Sequence, residues 1–235
     1  MSDIGFQRGY HLFEEHLKTL GVDVHVDEVQ LLDRTWDVLP GVFSPIKTPV
    51  TRLFSQWVPY PQKGSFLEVG CGTGVTSVMA ALSGCRRVTA VDISAAAVEN
   101  TRRNARRHHV ADRVHVMQSD LFAALSAGPQ FDLIFWNSNF AEPPKSFINE
   151  TDLHHAFFDP GYQAHRRYLR EGPLYLKEGG KLMLGFSSIG NKRLLAQLCA
   201  ESELAIHQVK SQRYQLEIVI SFELLELRGR TPAEH

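Results

Sequence analysis

The stretch Phe66-Leu67-Glu68-Val69-Gly70-Cys71-Gly72-Thr73-Gly74 decides the fold. A mostly apolar run enters a turn with glycines at alternate positions, and glycine, lacking Cβ, lets the chain bend sharply and lets a ligand approach its backbone. The spacing predicts a buried strand, a ligand-facing loop and a helix opening at about Thr73, whose first N–H groups have no intrahelical partner. The glycines fall at 70, 72 and 74 and position 75 is Val75, so the run departs from the dinucleotide fingerprint G-x-G-x-x-G. A second β-branched run, Val88-Thr89-Ala90-Val91-Asp92, ends on an acid twenty residues after Gly72, the spacing of a carboxylate that accepts ribose hydroxyls. A third, Val114-His115-Val116-Met117-Gln118-Ser119-Asp120, ends the same way.

Glu68-x-Gly-x-Gly-x-Gly followed by Asp92 resembles the class I S-adenosylmethionine-dependent methyltransferases, and the likeness runs from 63 to 225. The resemblance implies S-adenosylmethionine as cofactor, held by Glu68, Gly70, Cys71, Gly72, Gly74, Asp92, Ile93, Asp120, Leu121, Asn137 and Thr48. It also implies that Asp120 bonds the adenine amino group; the same residue suits the N-cap of a helix over Leu121 to Leu125.

Strands and helices alternate through this span, which implies parallel strands joined by right-handed crossovers. Strands are expected near 65–70, 87–92, 113–117, 131–137, 181–187, 204–210 and 215–225, and helices near 73–83, 94–108, 120–126, 160–176 and 190–200. The fold class is therefore α/β: a doubly wound, mostly parallel, Rossmann-like sheet of seven strands, the last two forming an antiparallel hairpin with its turn at Ser211-Gln212. Residues 1–62 read as an N-terminal helical extension or lid and 63–235 as the S-adenosylmethionine-binding catalytic domain. In the extension Tyr10, Phe13, Leu17 and Leu20 recur at helical spacing before Gly21, Val22, Val24 and Val26 alternate like a strand, and Thr48 is placed to cap a helix bearing Val50, Leu53, Phe54 and Trp57. The tail from Arg228 to His235 is short and polar and is expected to be disordered.

Composition narrows the function classes. With 235 residues, 43% of them hydrophobic, the chain can bury a sizeable core, and a formal charge of −1 provides no global basic field for nucleic acid. Cys71, Cys85 and Cys199 lack any C-x-x-C and the eleven histidines lack metal-ligand spacing, so no metal is expected and a reducing cytoplasm fits. No run of eighteen apolar residues and no signal-peptide pattern occur, so neither a membrane nor a nucleic-acid partner is expected, only small molecules. Arg102, Arg103, Arg106, Arg107, His108 and His109 read as a solvated helix face, and His154-His155 as a helix-start or surface pair.

In sheets of this kind ligands sit beyond the carboxyl ends of the strands, which gathers Gly70, Asp92, Asp120 and Asn137 around one crevice. The chemistry belongs after the fourth strand, at Asn137-Ser138-Asn139-Phe140. Relatives that methylate glutamine, adenine or cytosine carry N-P-P-Y or D-P-P-Y there; here side-chain hydrogen-bonding groups replace both prolines. The segment from Ala141 to Tyr162 is long for a connection and reads as a pocket-shaping lid. Trp136, Phe140, Phe157, Phe158, Tyr162 and Tyr175 are the aromatics available to surround a sulfonium, and Asn139, Asn137, Phe140 and Tyr175 form the candidate catalytic set.

Methyl transfer to a small-molecule amine, thiol or hydroxyl is the default reaction of this fold. The altered motif and aromatic lid also resemble the bacterial azetidine-2-carboxylate synthases, which implies attack of the substrate's own amino group on its γ-carbon with release of methylthioadenosine. Such a reaction needs an unprotonated amine, which Asn139 can orient by accepting its hydrogen, and a carboxylate pinned by the glycine loop with help from Thr48 or Ser44. Cyclisation is the preferred expectation, small-molecule methyl transfer the alternative, and a non-catalytic S-adenosylmethionine-binding protein the alternative from another class. Oligomeric state is open.

Overall fold

The structure is a computed structural model that describes residues 27–215 and 219–229. The expected helix over Tyr10–Leu20 and strand over Val22–Val26 lie outside the described residues.

The apolar runs become the central strands because both of their faces are covered. In chain order the elements are β1 (Glu28–Leu31), β2 (Arg34–Asp37), α1 (Val50–Trp57), β3 (Ser65–Val69), α2 (Val75–Leu82), β4 (Arg87–Asp92), α3 (Ala95–Arg107), β5 (Val114–Gln118), β6 (Phe131–Asn137), α4 (Asp152–His155), α5 (Gln163–Glu171), β7 (Leu176–Ser187), α6 (Lys192–Glu201), β8 (Leu204–Gln215) and β9 (Val219–Gly229). The seven-stranded sheet has the order β5-β4-β3-β6-β7-β9-β8. Its first five strands are parallel, and β9 runs antiparallel to both β7 and β8. The order reverses between β3 and β6, the switch point at which such sheets bind ligands.

Every residue of β3 is buried, as a central parallel strand requires. Side chains alternate between two layers. Phe66, Leu133 and Phe135 face a cluster with Val29, Trp36, Leu53, Phe54 and Val78, whereas Leu67, Ile134 and Trp136 face Phe122, Tyr168, Leu169 and Leu198. The described part of the extension thus shares one core with the sheet. It is held by α3: Asn104 Nδ2 donates to the carbonyls of Asp37 (2.9 Å) and Thr73 (2.8 Å), and Asn100 Nδ2 to that of Asp37 (2.8 Å). Arg103 and Arg107 pair with the buried Asp37 carboxylate, so half of the arginines read as a solvated face in fact grip the extension.

Four expectations are corrected. Residues 121–124 form hydrogen-bonded turns rather than a helix, and it is Ser119 Oγ, not Asp120, that accepts the Ala124 N–H (2.9 Å). The hairpin does not turn at Ser211-Gln212, which pair with Glu223 and Phe222 inside β8 and β9. Arg228 and Gly229 belong to β9 rather than to a tail. His154 and His155 close α4 instead of opening it.

Candidate active site

The glycine loop between β3 and α2 lies so close to α3 that its geometry is forced. Gly70 and Gly74 adopt φ of 66° and 81°, and a Cβ on Gly74 would lie 2.7 to 2.9 Å from atoms of Thr101. The loop is tied to the neighbouring strand end: the Gly72 N–H donates to Asp92 Oδ2 (2.9 Å) and the Ser94 N–H to Oδ1 (3.0 Å). Those two donors fix the carboxylate at the tip of β4.

A crevice of about 190 Å³ opens over these strand ends. Of the residues expected to bind cofactor, Glu68, Gly70, Cys71, Gly72, Asp92, Ile93, Asp120, Leu121 and Asn137 line it. Gly74 sits one step behind, at the start of α2. Thr48 does not line the crevice; its hydroxyl is buried without a partner and leaves α1 uncapped, while Thr51, one turn on, reaches the wall. Ser44, the other hydroxyl expected near the carboxylate, is likewise off the wall and unbonded. Asp120 accepts a hydrogen bond from Arg167 (2.6 Å), a partner the sequence did not suggest.

The catalytic set divides. Asn137 and Asn139 line the crevice. Phe140 does not; its ring packs on Phe186 and Phe222. Tyr175, just before β7, does not line the crevice; its ring stacks on Phe122 (4.9 Å, 11°), the residue after the lining Leu121. Of the candidate aromatics Trp136 lines the crevice, whereas Phe157, Phe158 and Tyr162 are buried in the packing behind it. Phe43, from the extension, lines it and meets Phe157 edge to face at 5.0 Å. Nothing in the spacing around Phe43 marked it.

Asn139 is held with unusual definition. Its Nδ2 donates to the carbonyls of Phe158 (2.9 Å) and His155 (3.1 Å) in the Ala141–Tyr162 segment, so both amide hydrogens are used and the orientation of the amide is fixed. Its Oδ1 is buried with no partner. A buried unsatisfied acceptor costs about 1–3 kcal/mol, which a ligand N–H can recover. The segment itself is anchored through Asp159, which caps α5 by accepting the Ala164 and His165 N–H groups and also bonds His165 Nδ1 (2.7 Å).

Glu68 lies beneath the loop. Only 3% exposed, it accepts a hydrogen bond from Ser77 Oγ, and burial, the largest influence, pushes its carboxyl up to about 8 against the pull of that bond. Burial likewise raises the Cys71 thiol well above its ordinary value, so it is no thiolate nucleophile at neutral pH. Among the described residues no group of three or more His, Cys, Asp or Glu stands ready to hold a metal, and no helix is long and apolar enough to cross a membrane.

These residues suit S-adenosylmethionine: a fixed carboxylate for the ribose diol, a backbone cradle at Gly70 and Gly72, and an unsatisfied acceptor at Asn139. Comparison with known proteins agrees. The family model of the methyltransferase small domain matches residues 34–215. A Methanocaldococcus jannaschii protein provisionally named a protein N5-glutamine methyltransferase is 31% identical over 68% of this chain and 79% of its own length. The ribosomal protein uL3 glutamine methyltransferase of Francisella tularensis is 27% identical over 77% of this chain and 56% of its own. Ribosomal RNA small subunit methyltransferase C of an Enterobacter species is 30% identical over 86% and 54%. The chain thus spans about half the length of the last two. A Thermus thermophilus 16S rRNA N2 G1207 methyltransferase, solved with S-adenosylmethionine and guanosine, superposes with a TM-score of 0.59 at 20% identity, covering 86% of this chain and 50% of that one; the likeness is one of fold.

Proposed function

We propose, from the premise that the chain belongs to the methyltransferase small domain family within the class I S-adenosylmethionine-dependent superfamily, that its crevice takes S-adenosylmethionine as sole substrate and cyclises it to azetidine-2-carboxylate, releasing methylthioadenosine. The observation that carries this reading is Asn139: both of its amide hydrogens are taken by the carbonyls of His155 and Phe158, and its buried Oδ1, on the crevice wall, is left to accept from a substrate N–H. The crevice is flanked by Gly41–Phe43 on one side and Leu153, His155 and Ala156 on the other.

The chain's own groups then have defined tasks. Asp92 would accept the ribose hydroxyls, and the Asp120 side of the crevice would take the base. The amino-acid end is left to Glu68, Gly70, Thr51 and the asparagines. Bound there, the substrate supplies a sulfonium leaving group. Asn139, with no hydrogen to spare, accepts one N–H of the α-amine and turns the nitrogen lone pair toward the γ-carbon. Because the carbonyls of His155 and Phe158 fix Asn139, the segment that covers the site also orients its key side chain. Orientation of this kind holds the nitrogen and the γ-carbon in a near-attack arrangement.

A second reading has its own support. Relatives named for glutamine or ribosomal RNA methylation favour methyl transfer to an amide or base nitrogen of a macromolecule, which Asn139 Oδ1 would also suit. Incubation with S-adenosylmethionine alone separates the two, with heat-killed protein as control for spontaneous breakdown. Enzyme-dependent methylthioadenosine supports cyclisation. S-adenosylhomocysteine that forms only when ribosomes or cell extract are added refutes it.

A further inference from the structure

Five ionisable side chains line the crevice among the described residues: Glu68, Cys71, Asp92, Asp120 and His155. Four are engaged or unsuited. Asp92 is bonded by two backbone N–H groups, Asp120 by Arg167, the Cys71 thiol is held protonated by burial, and His155 Nδ1 is exposed at 3.1 Å from Asn149 Nδ2. Glu68 differs. It is buried at the end of the crevice away from Asp120, and its oxygen is met by a neutral hydroxyl.

On the cyclisation reading, we infer that Glu68 is the catalytic base that takes a proton from the substrate's α-ammonium. The step balances without any further reagent. An N–H bond of the ammonium breaks and its proton goes to the Glu68 carboxylate; the freed lone pair forms the N–Cγ bond as the Cγ–S bond breaks, its electrons passing to sulfur. The sulfonium becomes a neutral thioether, the ring nitrogen keeps two hydrogens and its charge, and one proton leaves by way of Glu68. Among the described residues the groups that face Glu68 are Tyr60, Cys71 and Asp92, none of them a cation, and α1 and α2 add the hydroxyls of Ser55, Thr76 and Ser77. A ligand ammonium brings a positive charge to this carboxyl.

Two further points of chemistry agree. In the ligand-free site its carboxyl is raised to about 8, near the range of an α-amino group at about 7.7–8.0. An arriving cation favours the ionised carboxylate, so binding itself sheds a proton from Glu68 and leaves it ready to accept another.

The test compares wild type, Glu68→Gln and Ser77→Ala. Calorimetry with sinefungin, an unreactive analogue bearing an amine in place of the sulfonium, is run at pH 7 in two buffers of different ionisation enthalpy. Wild type is expected to release most of one proton on binding and Glu68→Gln none, with affinities within about fivefold. Turnover should fall by about 10²–10⁴-fold in Glu68→Gln and recover as pH rises. Ser77→Ala removes a bond that favours the ionised form, so the alkaline shift of its rate profile reports on Glu68 even if Glu68→Gln fails to fold. Equal turnover or equal proton release in wild type and Glu68→Gln overturns the assignment, as does an unshifted profile in Ser77→Ala. If wild type yields S-adenosylhomocysteine rather than methylthioadenosine, the cyclisation reading falls and the base with it. If wild type yields methylthioadenosine and Glu68→Gln does so equally fast, the base alone falls.

Discussion

Replacing Asp92 by asparagine separates two jobs that one carboxylate does. In the folded protein its two oxygens accept from Gly72 N and Ser94 N at 2.9 and 3.0 Å, so it latches the glycine loop to the end of β4. An amide keeps one acceptor and turns an NH₂ toward the other backbone donor. The orphaned donor costs about 1–3 kcal/mol whether or not ligand is bound, and at about 2–4 °C per kcal/mol for a chain of this size the ligand-free melting temperature should drop by about 2–12 °C. The second job is ligand capture. Losing charge-assisted bonds to the ribose diol costs about 1.5–3 kcal/mol, or about 10- to 150-fold in Kd. Thermal melts without ligand and calorimetry with sinefungin read the two effects independently. An affinity within twofold of wild type, in a variant that is still folded, would refute the placement of the ribose at Asp92.

Asn139→Ala should weaken sinefungin binding by about 5- to 150-fold, the 1–3 kcal/mol that the buried acceptor regains from the ligand amine, and cut turnover at saturation at least 100-fold, in the range of a lost positioning or acid–base group; intact turnover measured by methylthioadenosine release would remove the asparagine from the chemistry. Tyr175→Phe keeps the stack on Phe122 and should leave steady-state turnover within twofold, because Tyr175 is not on the crevice wall. The ligand-free protein should lose stability as pH rises from about 4.5 to about 8, because Glu68 is held protonated in the folded state well above the pH at which it ionises unfolded. Glu68's part of that slope reaches up to about 1.4 kcal/mol per pH unit and should vanish in Glu68→Gln; identical denaturation profiles across this window would show that Glu68 ionises at the same pH folded and unfolded.

What could be read in the sequence was whatever periodicity and glycine chemistry dictate. Phe66 to Gly74 and Val88 to Asp92 marked two central strands and the ligand-facing loop because buried parallel strands are apolar on both faces, and glycine at 74 answers a positive φ beside Thr101 that leaves no room for a Cβ. The misplaced hairpin has a physical cause as well. β8 is an edge strand, exposed along most of its length, and a polar run such as Lys210 to Arg213 looks like a turn when nothing has to be buried there. Long-range partners were invisible: Arg107 with Asp37, Arg167 with Asp120, and the lid carbonyls that fix Asn139. Phe43 could be placed at the crevice only once the Asn100 and Asn104 amides had tied the extension to α3.

The most direct measurement uses S-adenosylmethionine labelled with ¹⁵N at the α-amine and ¹³C at the γ-carbon, incubated with the protein and followed by NMR. Cyclisation predicts a product in which those two atoms show a one-bond coupling, appearing together with methylthioadenosine and with no acceptor added. An uncoupled pair, whether in a lactone or in S-adenosylhomocysteine made on addition of an acceptor, would contradict the account.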